Sequence, residues 1–471
     1  AALGVVATPQ GARVVWEATV GVGPDHLYRT LVDDATGKVL ARRDLVQGVG
    51  ATIRAWDYQP SGANGGGALI TVPSSWLDAS ATKLSGQNAH AYSDVNDDNS
   101  AEGSEEVLAG HWTNTLKTSF TRPSGAPGIV CSTGGGGIPC SWNPSLANSW
   151  KDNRAQNATQ VFYLVNVFHD WLRDSAVHFD AAAGAFEGAD KVQVNTDDGA
   201  NATGHGKPDI AHIDNANMST PPNGQSPRMQ MYLFHLPGFT WVNEPFANIN
   251  GGDDAAVVFH EYTHGLSNRL VVNARGDSTL NSFQGGAMGE AWSDWYAMNY
   301  LDLNDFDRDT TNAGDLIVGC YVDTCTRQIR TEAIDCRPTD TGATNCSAPG
   351  SGSAGNGGYT YADFGRILSG PEVHADGEIW GQTLWDIRQS TTLGVGSGEQ
   401  ARADLAECLI TRGMELSPPH PSFLDMRNAI LQADVVSCGN THNATIWSVF
   451  ANRGMGYFAA ALGGNDTHPV E

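Results

Sequence analysis

Apolar and polar residues alternate along the start of the chain. In RVVWEATVGV (13–22) and HLYRTLVD (26–33) apolar residues recur at every second position, the period of a half-buried strand. DDATGKVL (33–40) reads as a tight turn leading into another strand. Residues 1–47 are therefore expected to form a small β-rich unit. From about 48 to 150 the pattern breaks into short strands, Gly/Ser/Pro loops and acidic clusters. Near Asn153 the period changes. Val161, Leu164, Val165, Phe168 and Leu172 fall on one stripe, which predicts a helix. Residues 180–250 return to strands and loops, with MQMYLF (229–234) the clearest strand. The second half is mostly helical. One helix is expected from about Asp253 to Leu270, capped by Asp253 or Gly252, and another from around Gly286. A Cys/Gly/Thr-rich insertion, about 308–358, interrupts before helices resume near Gly377, Ala401 and Phe423. No internal repeat is visible. The sequence predicts an α+β protein with a β-rich lobe over 48–250 and a mainly helical lobe over 251–471.

Composition narrows the setting. The chain has 471 residues, 55 of them glycine, and glycine clusters such as GANGGG and STGGGG predict long loops. A formal net charge of −25 argues against nucleic acid or an anionic membrane as partner. The eight cysteines form no CxxC, and their even number predicts disulfides and an oxidising compartment. Local pairing of Cys131 with Cys140 and of Cys408 with Cys438 is expected. No apolar run reaches the roughly 18–20 residues needed to span a bilayer. No signal peptide is present; for a secreted protein the targeting segment is expected upstream of the sequence given.

Chemistry enters with FHEYTHGLSNRL (259–270). Positions four apart share a helix face, so His260 and His264 can turn two imidazoles toward one ion. Glu261 is rotated off that axis by roughly 100° and can reach a water on the metal without ligating it. This is the HExxH pattern of two ligands and a general base. A zinc site of this kind wants a third protein ligand and an open position. Ser267 and Leu270 exclude the HExxHxxGxxH arrangement. GGAMGEAWSDWYAM offers Glu290 as third ligand, with Asp294 one turn on, placed to accept a hydrogen bond from the far nitrogen of a ligating histidine. The glycine pair preceding this helix is expected to let it pack close against the first.

HEYTHGLSNRL followed by GGAMGEAWSDWYAM resembles the fungalysin family of secreted metallopeptidases, gluzincins related to thermolysin. FYLVNVFHDWL, RMQMYLF, NGGYTYADFG, EVHADGEIWGQTLWDIR, PSFLDMRNAIL and WSVFANRGMGY resemble further family segments in the same order, over roughly residues 50–460. The resemblance implies a secreted, monomeric zinc endopeptidase, one zinc per chain, with the site in the cleft between the lobes and proteins or peptides as substrates. It implies that residues 1–47 are the C-terminal end of an inhibitory prodomain, made as part of a zymogen. It also implies that His374 stabilises the oxyanion of the transition state. Tyr359 and Tyr361 are weaker candidates for oxyanion or substrate contact, since a tyrosine in a glycine-rich loop is more often simple packing. The insertion around 320–346 and the loop at 131–140 depart from the family pattern, which bears on surface and specificity rather than on the chemistry. An aminopeptidase with the same ligands spaces its third glutamate closer to the histidines and carries a GAMEN-like motif. Here twenty-five residues separate His264 from Glu290 and no such motif occurs. A catalytically silent relative would usually have lost the base, and Glu261 is present.

Three features lie outside that scheme. Met229–Phe234 reads either as an edge strand to which an extended peptide could add, or as an interior strand. His169 reads as structural. DVNDDNSAEGSE (94–105) sets Asp94, Asn96 and Asp98 in alternation with Glu105 at the twelfth position, the pattern of a calcium loop, although Asn99 replaces the usual glycine and no flanking helices are evident. A solvated acidic loop is the competing reading. Sequons stand at Asn157, Asn201, Asn217, Asn345, Asn443 and Asn465.

Overall fold

The structure, a computed structural model, describes residues 2–8, 11–21, 27–44, 49–60, 67–118, 120, 139–235, 246–323, 329–346, 357–390 and 398–471. Among these it contains three sheets and seven α-helices, an α+β protein as the sequence predicts. Strands β1 (Ala2–Thr8), β2 (Gly11–Gly21), β3 (Leu27–Asp33) and β4 (Val39–Asp44) form an antiparallel meander in that order. The turn between β3 and β4 is set by Asp33, whose carboxylate accepts the amide and hydroxyl of Thr36 at 2.7 and 2.8 Å. Gly37 supplies the left-handed residue at φ 69°. β5 (Val49–Ala55) and β6 (Ala68–Pro73) pair as a hairpin.

The second four-stranded sheet runs β7 (Ala89–Ser93), β8 (Val192–Thr196), β10 (Arg228–Met231), β9 (Ala216–Ser219). β7, β8 and β10 are parallel, and β9 closes one side antiparallel to β10. The MQMYLF strand is therefore interior and shorter than expected. β9, in a stretch rich in polar and small residues, is the edge.

Helix α1 (Arg154–Asp174) packs against this sheet. All five residues of its predicted stripe are fully buried. Its polar face is buried too, and Asn157, a sequon residue, is among those inaccessible positions. His169 is structural, as expected: it is buried and held between Asp170 and Glu187 at 3.0 and 3.5 Å. Next come α2 (Ala255–Leu270), α3 (Phe283–Leu303), α4 (Val373–Gln389), α5 (Glu399–Leu416), α6 (Phe423–Val436) and α7 (Asn443–Asn452). The cap of α2 is Asp254 rather than Asp253 or Gly252, its carboxylate accepting the amides of Ala256 and Val257. Asp253 is instead buried against Gln156. α3 and α4 begin three and four residues before the positions the periodicity suggested, because Ser282 and Glu372 cap them through their side chains.

The glycines Gly285 and Gly286 fall inside the first turn of α3, and a side chain at 286 would meet Val373 of α4, not α2. The close helix approach is made elsewhere. A Cβ at Gly377 of α4 would stand 2.7 Å from the carbonyl oxygen of Ala287 in α3. Disulfides join Cys408 to Cys438, as expected, and Cys336 to Cys346. Cys140 and Cys320 are also disulfide-bonded; the expected partner of Cys140, Cys131, lies outside the described residues.

Candidate metal centre

α2 and α3 pack against each other and set the site between them. On α2, His260 and His264 lie one turn apart and their Nε2 atoms approach to 3.0 Å. Glu290 on α3 reaches toward both, 3.3 Å from His260 Nε2 and 3.6 Å from His264 Nε2. Two ligand atoms bound tetrahedrally to one zinc at about 2.0–2.1 Å stand about 3.3 Å apart. The three measured separations bracket that value, so this donor set fits a zinc-sized ion.

The tautomer supports the same reading. Asp294, one turn beyond Glu290, accepts the Nδ1 hydrogen of His260 at 2.8 Å, which leaves Nε2 to face the other ligands. Burial works against a charged His260, yet the carboxylates of Asp294 and Glu290 outweigh it and raise its pKa to about 10. Burial lowers His264 to about 4. Burial pushes Glu290 the other way, but the surrounding imidazoles hold it well below the usual carboxylate range. The field at this point favours one positive charge, and a proton or a metal ion would satisfy it. Glu261, turned aside from the ligand axis, is buried with Oε2 unpartnered, and burial raises its pKa to about 7.

Two further groups complete the site. His374, in the first turn of α4, is half exposed, with Nε2 3.4 Å from Glu290 and Nδ1 2.6 Å from Glu372. It neither caps the helix nor enters the core. The tight seat of Gly377 on Ala287 brings this turn against α3. The second group, Arg330, was not anticipated. Its guanidinium forks onto Asp294 at 2.6 and 3.0 Å and stands 3.5 Å from Glu290. Asp294 thus carries a histidine on one side and an arginine on the other. Arg330 belongs to the 308–358 stretch, where no periodicity marks it. Arg308, Arg327 and Arg337 lie in the same stretch, and nothing local sets Arg330 apart from them.

That segment is anchored to the ligand helices. The second oxygen of the α2 cap, Asp254, accepts the amides of Tyr321 and Val322, both at 3.1 Å. Glu378, one turn beyond His374, accepts the amides of Thr331 and Glu332 at 2.8 and 2.7 Å. The backbone directly after Arg330 is therefore held by a carboxylate of α4, and residues 321–322 by the cap of α2. The expectation that this insertion bears only on surface and specificity is corrected: it supplies a charged group to the centre.

A cavity of about 670 Å³ opens onto His260, Glu261, His264, Glu290, Arg330 and His374. Its walls are the 214–218 stretch with β9, and an apolar patch of Phe234, Phe246, Val257, Val318, Val322 and Ile329. Tyr359 and Tyr361 do not line it. Both are fully buried, their hydroxyls bonded to Thr331 at 2.7 Å and Gln284 at 2.9 Å, so neither is placed to touch an oxyanion or a substrate. The carboxylates of Asp94, Asp98 and Glu105 come together elsewhere, while Asn96 is exposed and donates to Asp98.

Paired helices that offer two imidazoles, a carboxylate and an adjacent buried acid beside an open cavity define a metal-dependent hydrolase type of site. Comparison with known families agrees. Residues 68–459 match the model of the Fungalysin metallopeptidase (M36) family, and the chain belongs to that family. It is 28% identical over 445 residues to Extracellular metalloproteinase 1 of Phaeosphaeria nodorum, covering 82% of this chain and 63% of that protein. It is 31% identical over 340 residues to Extracellular metalloproteinase 3 of Trichophyton soudanense, covering 68% and 75%. Against Extracellular metalloproteinase 3 of Arthroderma gypseum it is 28% identical over 466 residues, covering 95% and 64%. The chain spans between 52% and 63% of the length of several of the relatives it matches. No helix among the described residues is long and apolar enough to cross a membrane.

Proposed function

We propose that the protein is a secreted zinc endopeptidase, built as two lobes with the site in the cleft between them. The observation that carries this reading is the convergence of His260, His264 and Glu290, with Asp294 behind and Glu261 beside them, on an open cavity. His260, His264 and Glu290 would hold the metal. When bound, zinc supplies Lewis acidity and lowers the pKa of a water.

The chain's own residues do the rest. Glu261 takes a proton from the attacking water and passes it to the leaving amine, and its pKa of about 7 suits both transfers. His374 faces the cavity with a ring nitrogen held in orientation by Glu372, and donates to the developing oxyanion. Arg330 and Asp294 orient His260. β9 is hydrogen-bonded only to β10 among the described strands, so its outer edge can receive an extended peptide. The apolar patch from Phe246 to Ile329 favours an apolar substrate side chain. Extracellular placement follows the names of the relatives and the disulfides. Residues 1–47 we read as the end of an inhibitory prodomain, supported by their organisation as a sheet whose strands pair with one another and by a family match that begins at residue 68.

The test is metal content by mass spectrometry with casein hydrolysis, for wild type and Glu261→Gln. About one zinc per chain in both, with activity in the wild type alone, is the expected result. A protein that takes up no zinc would end this reading.

A further inference from the structure

We infer that the loop Asp94–Glu105 is a binding site for a hard divalent cation, calcium by its chemistry, separate from the candidate catalytic centre. Carboxylate oxygens of Asp94, Asp98 and Glu105 lie within 4.8 Å of one another. Among the described residues the three acids make no ion pair with lysine, arginine or histidine. Glu105 is 3% exposed; its Oε1 accepts the amide of Val95, and its Oε2 is buried with no hydrogen-bond partner. Burying an unpartnered carboxylate oxygen beside two further carboxylates is costly unless a cation stands among them.

The neighbouring acids are arranged differently. Asp97, on the same loop, is paired to His212 at 2.9 Å, and His212 is also held by Asp209 at 2.6 Å. That arrangement carries its own cation when the imidazole is protonated. The Asp94 group has none. Its donors are all oxygen, the preference of calcium rather than of zinc or copper. Asn99 stands at the sixth loop position with φ 62°, the conformation a glycine usually supplies there.

Such an ion would be a staple. Asp94 directly follows β7, and its carboxylate accepts Asn195 of β8, while its amide donates to Thr196 of the same strand. Glu105 ends the loop, and its carbonyl accepts Arg154 at the start of α1. A cation at this point ties the loop to β8 and to α1. β8 pairs with β10 and β10 with β9, so the ion supports the sheet whose edge lines the cavity.

The experiment uses the full chain with Glu261→Gln, which removes self-digestion. Bound calcium is measured after gel filtration from calcium-containing buffer, and Tm is followed with calcium or magnesium chloride in zinc-replete protein. The parent is expected to retain calcium in addition to zinc, and calcium to raise Tm by several degrees where magnesium does not. Adding Asp98→Asn and Glu105→Gln should remove about one calcium per chain and the Tm response, with zinc content unchanged. Asp98→Asn alone alters an exposed residue, so it tests the site without risk to the fold and should weaken calcium binding at least tenfold. A parent without calcium overturns the inference. So does calcium retained by the double variant, or lost on Asp315→Asn, which lies in a second acidic cluster with Asp309 and Asp335.

Discussion

The candidate centre draws its groups from two very different kinds of chain. α2 and α3 are continuous helices whose groups at the centre follow one another at one-turn intervals, His260 to His264 and Glu290 to Asp294. Arg330 lies outside any helix or strand, yet it stands as close to Asp294, at 2.6 Å, as His260 does at 2.8 Å. A helix fixes its side chains through its own period and packing. The non-helical residues 321–322 and 331–332 have no period and are fixed instead by side-chain carboxylates gripping their amides, Asp254 for the first pair and Glu378 for the second. Precision at a site can thus come from regular structure or from buried acids that do the work of a hydrogen-bond ladder.

The largest separation between the two regions should appear in Glu261→Gln and Arg330→Leu. Loss of the proposed general base should lower kcat/KM by about 10²–10⁴-fold with stability and zinc content nearly unchanged. Arg330→Leu should do the opposite in kind. It strips Asp294 of a buried bidentate partner, and breaking such a pair from one side destabilises by about 3–5 kcal/mol. Zinc affinity should fall about 10–100-fold as the orientation of His260 loosens. Arg330→Lys should recover only part of this, since an ammonium cannot reproduce the fork. Denaturant unfolding and zinc-buffer titrations would measure both. An Arg330→Leu protein with unchanged zinc affinity would show that the irregular stretch adds charge without positioning.

A smaller effect tests how the stretch is held. Replacing Glu378 by Gln keeps its volume but puts an NH2 donor in place of one of the two oxygens that accept the amides of Thr331 and Glu332, so one buried amide loses its acceptor. The expected loss is about 1–2 kcal/mol, with a milder fall in zinc affinity than Arg330→Leu gives. Equal effects on zinc binding from both variants would mean that position, not charge, is what Arg330 contributes.

The contrast also explains what the sequence made legible. The proposed ligands, the proposed base and Asp294 were brought together by helical spacing, since i and i+4 on a helix imply a shared face without knowledge of the fold. The buried stripe of α1 and the β3–β4 turn follow from period and turn chemistry. Arg330 could not be read because nothing local distinguishes an arginine that folds back on a carboxylate 36 residues away. The place of MQMYLF inside its sheet was undetermined for the same reason: strand order depends on β8 and β9, and an alternating run reads alike at an edge or within. The cap of α2 shifted because the consecutive acids Asp253 and Asp254 compete for it, and α3 and α4 start three and four residues early because Ser282 and Glu372 cap them. Tyr359 and Tyr361 stood open between substrate contact and simple packing, because a glycine-rich surround does not fix burial; both rings are packed in the core.

Those tyrosines provide the smallest predicted effect. Tyr361→Phe removes a hydroxyl that donates to Gln284 Oε1 at 2.9 Å, but that oxygen keeps the amide of Phe423 at 2.8 Å. No buried acceptor is left unmatched, and the ring keeps its stack on Phe423 at 5.6 Å between centroids. The loss of stability should stay near about 1 kcal/mol, the ordinary worth of a hydrogen bond. Catalytic parameters should not change, because the hydroxyl points into the core and not toward the cavity. A Tyr361→Phe enzyme with kcat lowered tenfold at unchanged stability would place the hydroxyl in the reaction after all, and would require α4 and the residues before it to move when substrate binds.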